Sequence, residues 1–124
     1  MDEQALEPLI REVRILHRRR YAEAAYFFVL EALDYSMFIA GKSRLQGEER
    51  HLSCEELLSG LRRYASEEFG PLAPVTFRSW GIEKTDDFGA IVFQMCEIGL
   101  LSRREQDREE LFHEAFDIEQ AFAQ

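Results

Sequence analysis

Residues 85–101 read TDDFGAIVFQMCEIGLL, and the fold turns on what this stretch does. Phe88, Ile91, Val92, Met95 and Ile98 recur at helical spacing, which predicts one helix with a buried apolar stripe. Thr85 suits its N-cap, Asp86 and Asp87 complement the positive end of its dipole, and Gly99 ends it. Helices precede this segment and a charged segment follows, which is winged-helix order. In DNA-binding relatives of that fold this helix enters the major groove. Base readout needs Arg, Lys, Asn or Gln on the groove-facing side. Between Thr85 and Ile98 only Gln94 qualifies. The segment has the place of a reading helix without the side chains for reading.

The flanking segments complete the pattern. Ser53-Cys-Glu-Glu56 is a capping box opening a helix that runs to Phe69, where Gly70-Pro71 stops it. Leu72 to Trp80 is a short second helix, irregular around Pro74, and Trp80 is a core aromatic at the turn into the next helix. Beyond Gly99, Leu100-Leu-Ser leaves as a strand, Arg103 to Glu110 forms a charged tip, and Leu111-Phe112 returns. That is a small β-hairpin in the position of a wing. Phe116 to Phe122 ties the end of the chain to the core.

Upstream, Glu7 to Arg20 reads as a first helix with Pro8 in its first turn. Tyr21 to Ala40 continues it or follows a bend. Ala22–Ala40 is apolar at 15 of 19 positions, close to the length of a membrane span. Glu23, Glu31 and Asp34 argue against a span because a carboxylate is costly in lipid. Those acids share one side, so the rest of the circumference can be buried. Phe27, Leu30 and Phe38 lie in or beside the acidic stripe and are the candidate protein interface. Gly41 to Leu52 is polar and aperiodic, a connector with a short strand at Arg50-His-Leu. The expected architecture is one mainly α domain over 1–124: N-terminal helices (1–40), a connector (41–52) and a winged-helix-like unit with a β-hairpin (53–124).

With the segments in place, AYFFVLEALDY (25–35), RHLSCEELLSGLRRYASEEFGPLA (50–73), SWGIEKTDDFGAIVFQMCEIGLL (79–101) and FDIEQAF (116–122) resemble a family of small bacterial proteins of uncharacterised function. The resemblance spans most of the chain and is most specific at SWGI…TDDFG. It implies a compact bacterial domain and carries over no activity, cofactor or functional residue.

Charge narrows the partners. The net charge is −9, and residues 51–124 hold 7 Lys/Arg against 15 Asp/Glu. That half repels phosphate, so nucleic acid binding there is disfavoured. The exception is REVRILHRRR (11–20), with five Arg; Arg14, Arg18, Arg19 and Arg20 are the candidate contacts for nucleic acid or an acidic partner. The bland reading is a solvated helix end with favourable dipole charge.

No catalytic, cofactor or metal constellation is legible. Cys54, in the first turn of a helix and three residues after His51, has no visible nucleophile–base–orienter set, and neighbouring Glu55 and Glu56 favour its protonated form. Cys96 reads as core. The three His stand apart, without Glu-x-x-His or Cys-x-x-Cys patterns, and no phosphate-binding glycine loop occurs. Two cysteines and an acidic N-terminus point to a reducing compartment, the cytoplasm. The expectation is a non-enzymatic soluble module for protein interaction or homo-oligomerisation, needing no cofactor. Nucleic acid binding through the Arg-rich helix is the alternative, and an enzyme of unrecognised type the third reading.

Overall fold

The computed structural model describes residues 3–103 and 107–123. It is mainly helical: α1 (Glu3–Leu16), α2 (Glu23–Ile39), α3 (Cys54–Phe69), α4 (Ala73–Ser79), α5 (Thr85–Glu97) and a last turn, α6 (Ile118–Ala121). Single 3-10 turns occur at Gly47–Arg50, Gly70–Leu72 and Glu109–Phe112. No helix among the described residues is long and apolar enough to cross a membrane.

Two helices form the interior. α2 packs along α3, and Gly60 makes the close approach possible: a Cβ there would lie 1.9 Å from the Ser36 hydroxyl oxygen. Ser36 is itself buried and donates to the Ala32 carbonyl at 2.6 Å. α5 is buried on almost every side, including Thr85, Asp87 and Gln94 as well as its apolar stripe. Phe28, Phe69 and Trp80 surround Phe77, with ring centroids 5.4 to 6.2 Å from it, and Trp80 is half-buried against the core rather than within it. Ile118 and Phe122 bury the chain end beside them.

The capping box of α3 forms as expected: Glu56 N donates to Ser53 Oγ at 3.0 Å, and Ser53 N donates to Glu56 Oε1 at 2.9 Å. Lys42 Nζ, 2.8 Å from the same carboxylate, holds the Glu56 pKa below its ordinary value.

Five expectations are corrected. There is no β-hairpin among the described residues. Leu100 N and Leu101 N both donate to the Met95 carbonyl, at 2.9 and 3.4 Å, behind a left-handed Gly99. Those amides close α5 and are lost to a strand ladder. The returning segment coils into a 3-10 turn that drops Phe112 onto Gly89, where a Cβ would meet the ring carbon Cγ at 2.8 Å. Arg104, part of the expected tip, lies outside the described residues.

The cap of α5 is Lys84, not Thr85. The Asp87 carboxylate accepts from Glu83 N and Lys84 N. Thr85 instead donates to the Phe112 carbonyl at 2.7 Å and accepts from Ala115 N at 3.0 Å. The expected strand at 50–52 is likewise absent: the 3-10 turn Gly47–Arg50 ends at its first residue, and His51 and Leu52 have no regular structure. The first helix also ends at Leu16 rather than Arg20, because Arg18 and Arg19 take left-handed backbone (φ 58° and 54°) and turn the chain into α2. Pro8 lies inside α1, past its first turn.

Candidate functional site

The residues singled out from the sequence divide sharply. Arg14 Nε donates to the Tyr21 carbonyl at 2.8 Å, across the turn between α1 and α2. Arg20 reaches Asp87 Oδ1 at 3.1 Å and stacks over the Tyr21 ring at 5.2 Å. Both hold the turn in place. Arg18 and Arg19 are exposed and have no side-chain partner among the described residues.

The three candidate interface positions also separate. Leu30 is a buried member of the main core, Phe27 packs partly against it, and only Phe38, 75% exposed, stands open. The larger apolar exposure lies on α1, where Ile15 (53%) and Leu16 (63%) face solvent and Leu9 is partly open. Leu9 and Leu16, seven residues apart, share one side of the helix.

The acids of α5 are tied within the chain. Asp87 accepts from Tyr21 Oη at 2.6 Å, from Arg20 and from two backbone amides. Burial and this carboxylate raise the Tyr21 pKa far above its ordinary value. Asp86 takes His113 Nδ1 at 2.6 Å and Glu114 N at 3.2 Å. Gln94, the one residue of the helix able to read a base, is buried and hydrogen-bonded by Tyr26 Oη. Burial pushes the Tyr26 phenol up to about 12. α5 has no free face for a groove.

At the other end of α5 a half-open cavity of about 210 Å³ lies between α2, the connector, the start of α3 and the segment after α5. Leu33, Met37, Leu57, Val92 and Phe93 make its apolar wall. His51 Nε2 meets Asp107 Oδ2 at 2.7 Å on the polar side, and Arg50 and Arg103 line the same space. Arg50 reaches only the Ser43 carbonyl, at 3.3 Å, and Arg103 lies over the Phe93 ring at 5.2 Å. Neither forms an ion pair among the described residues.

Cys54 and Cys96 line this cavity too. His51, Asp107 and Cys54 are the residue types of a base, its orienting acid and a thiol nucleophile. Cys54 is buried, and burial raises the Cys96 pKa, so that thiol stays protonated at neutral pH despite Arg103 nearby. Among the described residues no group of three or more His, Cys, Asp or Glu could hold a metal.

Asp107 is 56 residues from His51, and no spacing rule brings it there. The faint signal in the sequence is the position of His51 just before a helix cap, where a polar connector must be pinned. Comparison with family models, with curated proteins and with solved structures gives no match for this chain.

Proposed function

We propose that the protein is a non-enzymatic interaction module that docks a partner protein, or a second copy of itself, through the outward side of α1. The observation that carries this reading is the pairing of Leu9, Ile15 and Leu16, open on α1, with the unpartnered Arg18 and Arg19 at its end. Such a face fits an apolar ridge flanked by carboxylates. The acidic second half of another copy supplies carboxylates of that kind. Light scattering over a concentration series tests self-association, and cross-linking in native cells tests other partners. Ile15→Glu with Leu16→Glu abolishes the association while leaving the helical circular dichroism unchanged. A protein that is monomeric at every concentration, with no cross-linked partner released by the double variant, overturns the reading.

A second reading rests on Arg18 and Arg19 alone. Held by the left-handed turn and without an acid partner among the described residues, they suit phosphate, and binding would weaken steeply with salt. Retardation of RNA or DNA at low salt that Arg18→Glu with Arg19→Glu removes supports it; no retardation ends it.

A further inference from the structure

We propose that the cavity at the C-terminal end of α5 is a binding site for a small amphipathic carboxylate, its hydrocarbon body inside and its anionic end at Arg103 and Arg50. The argument begins with size. A cavity of about 210 Å³ is far larger than the roughly 10–15 Å³ that one water needs, so it has room for a hydrocarbon body of medium length.

Chemistry then selects within that size. The wall of Leu33, Met37, Leu57, Val92 and Phe93 offers hydrocarbon no hydrogen-bonding competitor, so the body of the ligand must be apolar. The polar side is not neutral. His51 and Asp107 satisfy each other at 2.7 Å. Arg50 and Arg103 then remain as cations without a carboxylate among the described residues. In a chain whose net charge is −9, the one acid lining this cavity among the described residues, Asp107, is engaged by His51 and by neither arginine. Glu109 and Glu110 share a second cleft with Arg103 but form no ion pair with it among the described residues. A guanidinium beside an apolar wall recognises a carboxylate through charge-assisted hydrogen bonds, which a neutral head cannot match.

Arg103 also comes prepared. Its stacking on Phe93 holds the guanidinium at the cavity edge, which reduces the side-chain freedom lost when an anion binds. Cys96, half-buried in the same lining, is a built-in reporter of occupancy.

The full chain titrated with octanoate, with octanamide as the neutral control, tests the proposal. Calorimetry or amide chemical shifts follow binding, and mass spectrometry follows the alkylation rate of Cys96. Octanoate is expected to bind saturably, to shift amides of residues 50–57 and 91–103, and to slow Cys96 alkylation. Arg103→Gln should weaken it roughly tenfold, the scale of one hydrogen bond to a charged group. Val92→Phe, which fills the space, should abolish both binding and protection, with folding checked by circular dichroism. Arg18→Glu should change neither, which separates this site from the α1 face. Absence of saturable binding, octanamide binding as tightly as octanoate, or affinity indifferent to Arg103→Gln each overturns the proposal.

Discussion

At the N-terminal end of α5, Asp87 is met by a phenol, a guanidinium and two backbone amides, and its side chain is almost wholly buried. At the C-terminal end, Phe93 and Cys96 face a cavity whose two arginines have no acid partner among the described residues. One helix thus has a closed end and an open end. Where every donor has its acceptor, charge serves the fold. Where two cations line an apolar space and its one described acid, Asp107, is taken by His51, the cations are left for something outside the chain.

The closed end is broken most directly at its centre. Asp87→Ala removes the acceptor for Tyr21, Arg20, Glu83 N and Lys84 N together and leaves buried donors unpaired. Urea denaturation should show a loss of about 3 kcal/mol. A loss under about 1 kcal/mol would mean that the network is dispensable and the contrast between the ends false. Gly60→Ala probes packing without touching either end. Its Cβ would collide with Ser36, in the α2–α3 contact, for a cost of about 2 kcal/mol in the same assay.

Tyr26→Phe is milder. It removes the buried hydroxyl that serves Gln94, and the midpoint of thermal unfolding should fall by the equivalent of about 1 kcal/mol. Gln94→Leu in addition should recover part of that loss, since no orphaned amide is then left in the core.

The smallest effect is at the surface. His113 has a pKa raised above its ordinary 6.5 by its hydrogen bond to Asp86, and Asp86 one lowered below its ordinary 3.8 by the same bond. The histidine contribution is complete below pH 6.5 and is lost as pH rises through its raised folded value. The aspartate contribution is present above pH 3.8 and is lost as pH falls through its lowered folded value. The pair therefore stabilises most between pH 3.8 and 6.5. Urea midpoints of wild type and His113→Gln should differ most near pH 5 and converge at alkaline pH. Curves separated equally at every pH would show that the pair does not titrate as described.

Much of the helical frame was legible because its signals are local. The Ser53–Glu56 box, the Gly70-Pro71 stop, the Trp80 turn and the left-handed Gly99 depend on residues within a few positions of one another. The predicted hairpin failed for a non-local reason. Leu100 and Leu101 turn their amides back to Met95, and Phe112 is drawn under Gly89, so neither side is free to pair as a strand. The arginine run was legible as charge but not as roles: Arg14 and Arg20 serve the turn at Tyr21 while Arg18 and Arg19 remain open. The cavity was invisible, since its polar side joins His51 and Asp107, and Arg50 and Arg103, across more than fifty residues.

Local spacing and capping chemistry by themselves determined a chain of amphipathic helices with an acid-rich α5 lacking the residues for reading DNA. Only the tertiary structure decided what those acids do. Asp87 is an internal acceptor because Tyr21 and Arg20, far upstream, are brought to it by the left-handed turn after α1. Tertiary packing likewise decided that α5 is a central helix and that its far end opens on a charged cavity. Periodicity tells which side of a helix prefers burial; how many sides are buried, and which charges are neutralised, depends on neighbours that sequence distance conceals.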